Sequence, residues 1–149
     1  MSSEKAFRER PAPDERRSVM VRSACGIAIS HPHEADEYAT GENVSILESW
    51  RTPEDSALTI ARGRLAPGMT SAPHRLRGIE ERYIILMGQG CITIPGEGPA
   101  AVGPGDVIFF PAGVTQTLTN TGHSDLLLYA ICTPPFDERC YEEVTEPEG

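Results

Sequence analysis

Lysine is almost absent from this chain. The only one is Lys5, so chemistry that needs a lysine in the core, such as a Schiff base, is excluded. No apolar run approaches the roughly 20 residues of a membrane span, which excludes a transmembrane helix. The opening stretch MSSEKAFRERPAPDERR holds no apolar leader, so the expected compartment is the cytoplasm. The four cysteines (Cys25, Cys91, Cys132 and Cys140) show neither a CxxC pair nor zinc-finger spacing. In a cytoplasm they are expected as reduced thiols packed like small hydrophobes. A basic stripe is missing as well. The net charge is −9, with the acidity gathered in residues 31–55 and 137–149. That distribution lacks the electrostatic footprint of a nucleic-acid binder.

Helical periodicity is also missing, and turn residues are plentiful. Glycine and proline supply 14 and 13 of the 149 residues, which favours short strands over a helical bundle. The length is that of one domain. Residues 1–17, polar and charged, read as a flexible N-terminal arm, and residues 18–42 as an N-terminal strand region followed by an acidic loop. From residue 43 to 133 the chain breaks into about eight short strands separated by glycine and proline turns. They are ENVSILESW, SALTIARGRL, ERYIILMG, CITI, AAVG, DVIFFP, VTQTLTN and DLLLYAICT. The expected fold is an all-β jelly-roll barrel over residues 43–136, carrying a short N-terminal arm. Residues 137–149 are expected to form an acidic C-terminal tail, with Phe136 just before it and Tyr141 within it pinning this end to the barrel and EEVTEPEG frayed.

Two stretches carry the chemistry, GMTSAPHRLRGIEERYIILMG (68–88) and GDVIFFPAGVTQTLTN (105–120). Their spacing resembles the two motifs of the cupin superfamily, G-x5-H-x-H-x3–4-E-x6-G and G-x5-P-x-G-x2-H-x3-N. Gly68, His74, Glu81, Gly88, Gly105, Pro111, Gly113 and Asn120 occupy eight of the ten motif positions. Leu76 and Gln116 stand where the second and third histidines would be. In that family the motif histidines and the glutamate hold a divalent metal. The resemblance therefore implies a site of His74, Glu81 and Gln116 for manganese, iron, nickel or zinc, weakened by the two replacements, or no metal at all.

Strand alternation places Glu81, Tyr83, Ile85 and Met87 on one face. With that face inward, His74 and Glu81 are the expected catalytic pair. Tyr83, Gln116, Leu76 and Met87 are the expected substrate-binding wall. Burial raises the pKa of Glu81, and a charged Glu81 calls for a partner, either His74 as imidazolium or a metal ion. Glu80, Arg75, Arg82, His31, His33 and His123 are expected at the surface. Arg62 and Arg64 share a face that points to solvent or to a ligand anion. The expected function is binding of a small oxygenated metabolite in the barrel by an enzyme of isomerase, lyase or dioxygenase type. The alternative is a non-catalytic small-molecule sensor. No nucleic acid or membrane partner is expected. The resemblance implies a homodimer, and the apolar segments VMVRSACGIAI and VSILESW are the candidate interface.

Overall fold

The computed structural model describes residues 10–145. Among them, the helical elements are three single 3-10 turns, and everything else regular is strand. Among the described residues no helix is long and apolar enough to cross a membrane. The strands are β1 (Val19–Arg22), β2 (Ala28–His31), β3 (Tyr38–Ala39), β4 (Ser45–Thr52), β5 (Asp55–Leu65), β6 (His74–Leu76) and β7 (Glu80–Met87). After them come β8 (Gly90–Ile94), β9 (Gly98–Val102), β10 (Val107–Phe110), β11 (Leu118–Asn120), β12 (Leu126–Thr133) and β13 (Tyr141–Glu143).

They form a jelly roll of two facing layers. One layer is a six-stranded sheet in the order β10-β7-β12-β5-β4-β3. The other joins the β11-β8-β9 sheet to the β13-β6 pair through isolated bridges at Thr70–Thr119 and His74–Gln116. The inner faces meet in a core of Leu65, Tyr83, Ile85, Ile92, Phe110, Leu118, Leu126 and Leu128. A smaller cluster of Leu76, Ile79 and Cys132 lies beside it, with Phe136, Cys140 and Tyr141 packed on top. Phe136 and Tyr141 thus pin the C-terminal segment as expected.

Three expectations are corrected. Residues 10–17, expected in the flexible arm, are tied down. Arg10 pairs with Glu48 at 3.3 Å, and the Arg17 and Ser18 amides donate to the Asp36 carboxylate at 2.9 and 2.6 Å. Residues 1–9 lie outside the described residues. The start of the tail does not fray, because Tyr141, Glu142 and Glu143 pair with Leu76, Arg75 and His74. VTQTLTN is shorter as a strand than its alternation suggests. Before β11 begins at Leu118, Gln116 pairs with His74 only as an isolated bridge.

Gly88 shows why a motif glycine is required. Its φ is +89°, and a Cβ there would lie 2.6 Å from the Asp125 carbonyl oxygen and 2.9 Å from the Leu126 Cα. Gly96, at φ +78°, has open space around it. Gly96→Ala is expected to cost about 1–2 kcal/mol for the left-handed backbone alone, and Gly88→Ala clearly more, because backbone must move as well. Urea unfolding of the two variants checks the order, and equal losses would contradict the close approach.

Candidate active site in the barrel

The two layers enclose a cavity of about 140 Å³, open on one side. Glu81 reaches it from β7, flanked in the ladder by Cys132 of β12 and Phe110 of β10. The residue is 6% exposed. Its Oε2 accepts a hydrogen bond from the Cys132 thiol at 3.1 Å. Two residues along the strand, Tyr83 shares the face. The Tyr83 hydroxyl donates to Gln116 Oε1 at 3.0 Å, and the ring meets Phe110 edge-on at 4.8 Å.

His74 and Gln116 belong to the opposite layer. They exchange backbone bonds, Gln116 N–H to His74 O at 2.7 Å and His74 N–H to Gln116 O at 3.2 Å. His74 Nδ1–H donates to the Ala72 carbonyl at 3.1 Å, which leaves Nε2 as the acceptor nitrogen of a neutral ring. The ring stacks on Tyr141 at 4.9 Å and 16°. The Gln116 side chain also lies close to the His74 ring, favouring its charged form, and donates to the Glu81 carboxyl. Gln116 is only 2% exposed and sits behind the cavity wall rather than on it.

Burial sets the protonation of these groups. It pushes the Glu81 carboxyl up to about 7, against the opposing hydrogen bonds from Cys132 and Gln116. It pulls the His74 imidazole below its ordinary value, against the Ala72 hydrogen bond and the Gln116 side chain. Burial and the neighbouring Glu81 raise the Cys132 thiol, and the same two causes hold Tyr83 well above the usual phenol value. The expected Glu81–imidazolium pair is therefore corrected. His74 is driven neutral, and the partners of Glu81 are a thiol and an amide.

The structure brings His74, Leu76, Glu81 and Tyr83 to the cavity. Met87 does not join them. It is 46% exposed, because the pairing of β7 with β12 slips between Leu127 and Leu128 and turns the strand end outward. Glu80 is at the surface, 3.8 Å from Arg82. Arg75 faces Glu142 at 3.3 Å. Arg62 and Arg64 point away from the cavity into a network with Glu34, Glu37 and Asp125. His33 caps a 3-10 turn by accepting from the Ala35 amide, and His31 and His123 are exposed. Sequence reasoning missed Cys132, Tyr141 and Glu42. Alternation along β12 could have found Cys132, which follows the inward Leu128 and Ala130.

A divalent metal needs several converging donors. Leu76 supplies none, and Gln116 Oε1 already accepts from Tyr83. Among the described residues no three His, Cys, Asp or Glu side chains converge as a metal site. The donor set does not fit a resident manganese, iron, nickel or zinc ion.

Residues 61–132 match the cupin domain family. The chain carries a cupin domain. Over 77 residues, 52% of this chain, it is 34% identical to an oxalate-binding protein of Thermotoga maritima, and the match spans 63% of that relative. Among solved structures, the nucleoside dehydratase Pac13 of Streptomyces has a TM-score of 0.62 at 16% identity, covering 72% of this chain and 82% of that one. KdgF of a Halomonas species has 0.61 at 17%, covering 70% and 92%. The polyketide cyclase RemF of Streptomyces resistomycificus has 0.60 at 18%, covering 72% and 75%. These structural likenesses are likenesses of the cupin fold.

The raised Glu81 pKa makes a stability prediction. Unfolded, the carboxyl titrates near 4.5, and folded near about 7. Between those values the folded cupin holds more protons than the unfolded chain, so stability falls as the pH rises through the window. The total is about 3 kcal/mol. Urea unfolding is expected to show this fall in the wild type and not in Glu81→Gln. Parallel pH profiles would contradict the assignment.

Proposed function

We propose that this protein binds a small oxygenated metabolite in its barrel and acts on it by proton transfer through Glu81, as an isomerase or lyase does. One observation carries the reading. The Glu81 carboxyl lies on the cavity wall, no cation among the described residues forms an ion pair with it, and its pKa is about 7. A group that holds its proton about half the time near neutrality is suited to both giving and taking it. The neutral His74 adds an acceptor nitrogen. Isomerase and lyase chemistry needs no more than such carriers. The dioxygenase type needs an oxygen-activating centre, which this donor set does not resemble. The likeness to an oxalate-binding protein supports ligand binding in this fold. A non-catalytic sensor is the second reading, in which protonated Glu81 donates a hydrogen bond to the ligand and nothing more. The cysteines are all unpaired, which supports the cytoplasmic placement.

A thermal-shift screen of hydroxy- and oxo-metabolites tests the site. A true ligand is expected to stabilise the wild type and Glu80→Gln alike, and Glu81→Gln at least tenfold less by affinity. Incubation of that ligand in D2O is expected to yield deuterium uptake or product. Equal responses in the two variants would sink the assignment of Glu81, and binding without exchange or turnover would decide for the sensor.

We also propose a homodimer formed through the β1–β2 hairpin. Met20 and Ser30 face β4, where the Ser30 hydroxyl donates to the Ser49 carbonyl. The outer face carries Val19, Val21 and Ile29, and Ile27 beside them is 62% exposed. Sedimentation is expected to give twice the chain mass of 16.2 kDa, falling to one chain in Val21→Glu/Ile29→Glu. A wild-type monomer at micromolar concentration would refute it.

A further inference from the structure

The composition of the cavity says what kind of molecule it takes. Its apolar walls include Val44, Ile60, Leu118, Leu128, Trp50 and Phe136. Its volume, about 140 Å³, is close to the roughly 150 Å³ of an apolar cavity that takes up benzene. One six-membered ring fills such a space, and substituents on it would extend toward the open side.

Charge argues in the same direction. Three carboxyls (Glu42, Glu48 and Glu81) line the cavity, and a hydrogen bond joins Glu42 to Glu143. Of the two guanidiniums on the lining, one is paired with a carboxylate and the other with a backbone carbonyl. Arg10 lies 3.3 Å from Glu48 and 5.8 Å over the Tyr38 ring, and Arg51 donates to the Phe136 carbonyl at 2.6 Å. A dianion brought in here would lose its hydration against largely apolar walls beside the Glu48 carboxylate, which already takes up Arg10.

We propose that the ligand of this cupin barrel is a neutral monocyclic molecule with one carbonyl or hydroxyl oxygen, its ring packed among the apolar walls and its oxygen toward Glu81, and not a dicarboxylate. The direction of the oxygen rests on the proton-transfer reading of Glu81. The preference for a neutral ring rests on the walls and charges alone.

The probes are phenol, 2-cyclohexen-1-one and oxalate, titrated into the full chain by calorimetry at pH values from about 5.5 to 8.5. Both neutral probes are expected to saturate, at least tenfold more tightly than oxalate. Ala130→Phe and Val44→Phe, which fill two different walls, are each expected to weaken them at least tenfold. Folding of each variant is checked by circular dichroism, and one folded variant suffices. Cyclohexenone binding is expected to weaken as the pH rises through about 7 in the wild type and to stay flat in Glu81→Gln. Oxalate binding as tightly as the rings, no saturation by either ring, or unchanged ring binding in a folded wall variant would each overturn the proposal. Tight ring binding whose pH dependence is the same in Glu81→Gln would leave the ring preference standing and overturn the role of Glu81 instead.

Discussion

The two layers of the barrel are joined at the site by one residue, Gln116. Its backbone pairs with His74, its Oε1 accepts the Tyr83 hydroxyl, and its amide nitrogen donates to Glu81. The side chain thereby satisfies two polar groups that burial would otherwise leave costly, the Tyr83 hydroxyl and the Glu81 carboxyl. It also fixes how far the six-stranded sheet stands from the layer opposite at this point. The cavity lies beside this polar network, and mostly apolar side chains line it. A shorter apolar residue at position 116 would remove the spacer and strand Tyr83 and Glu81 together.

The C-terminal segment completes the same enclosure. Pairing of β13 with β6 sets Tyr141 on the His74 ring and brings Glu143 to Glu42 at the rim. The stacked phenol ring keeps water from one face of the imidazole. That helps to hold His74 neutral, the direction its burial already imposes. Tyr141 is therefore part of the site's wall, although the acidic composition around it alone suggests a solvated end.

What the sequence made legible follows from how local each constraint is. Motif spacing identified the turn at Gly88, where a side chain would strike the Asp125 carbonyl. It also identified Asn120, whose amide nitrogen donates to the Leu65 and Ser124 carbonyls. Period-two alternation put Glu81, Tyr83 and Ile85 inward. It failed at Met87, because the slip that turns this residue outward belongs to the pairing with β12 and leaves no trace in β7 itself. The paired role of Glu142 and Glu143 was hidden for a similar reason, since the strand they form is defined by its partner. The ion pairs that draw Arg62 to Glu34 and Glu37 join residues more than twenty positions apart. The neutrality of His74 depends on how deeply it is buried, which no spacing encodes.

The two motif positions that depart from the family pattern both keep positive charge away from Glu81. A cation coordinated beside a carboxylate favours its charged form and drives its pKa down, whereas burial without a cation favours the neutral form and drives it up. Leu76 removes a nitrogen donor and adds apolar surface, so it both weakens any cation and deepens the desolvation. Gln116 replaces an imidazole with a neutral amide, which donates to Glu81 but brings no positive charge. The hydrogen bonds from Gln116 and Cys132 pull the carboxyl back toward ionisation, and burial still outweighs them. The balance falls near neutrality because the hydrogen bonds recover only part of what burial costs the charged form. The same glutamate that would serve as a fixed anionic ligand in a histidine-rich barrel becomes, in this one, a group whose proton is free to move.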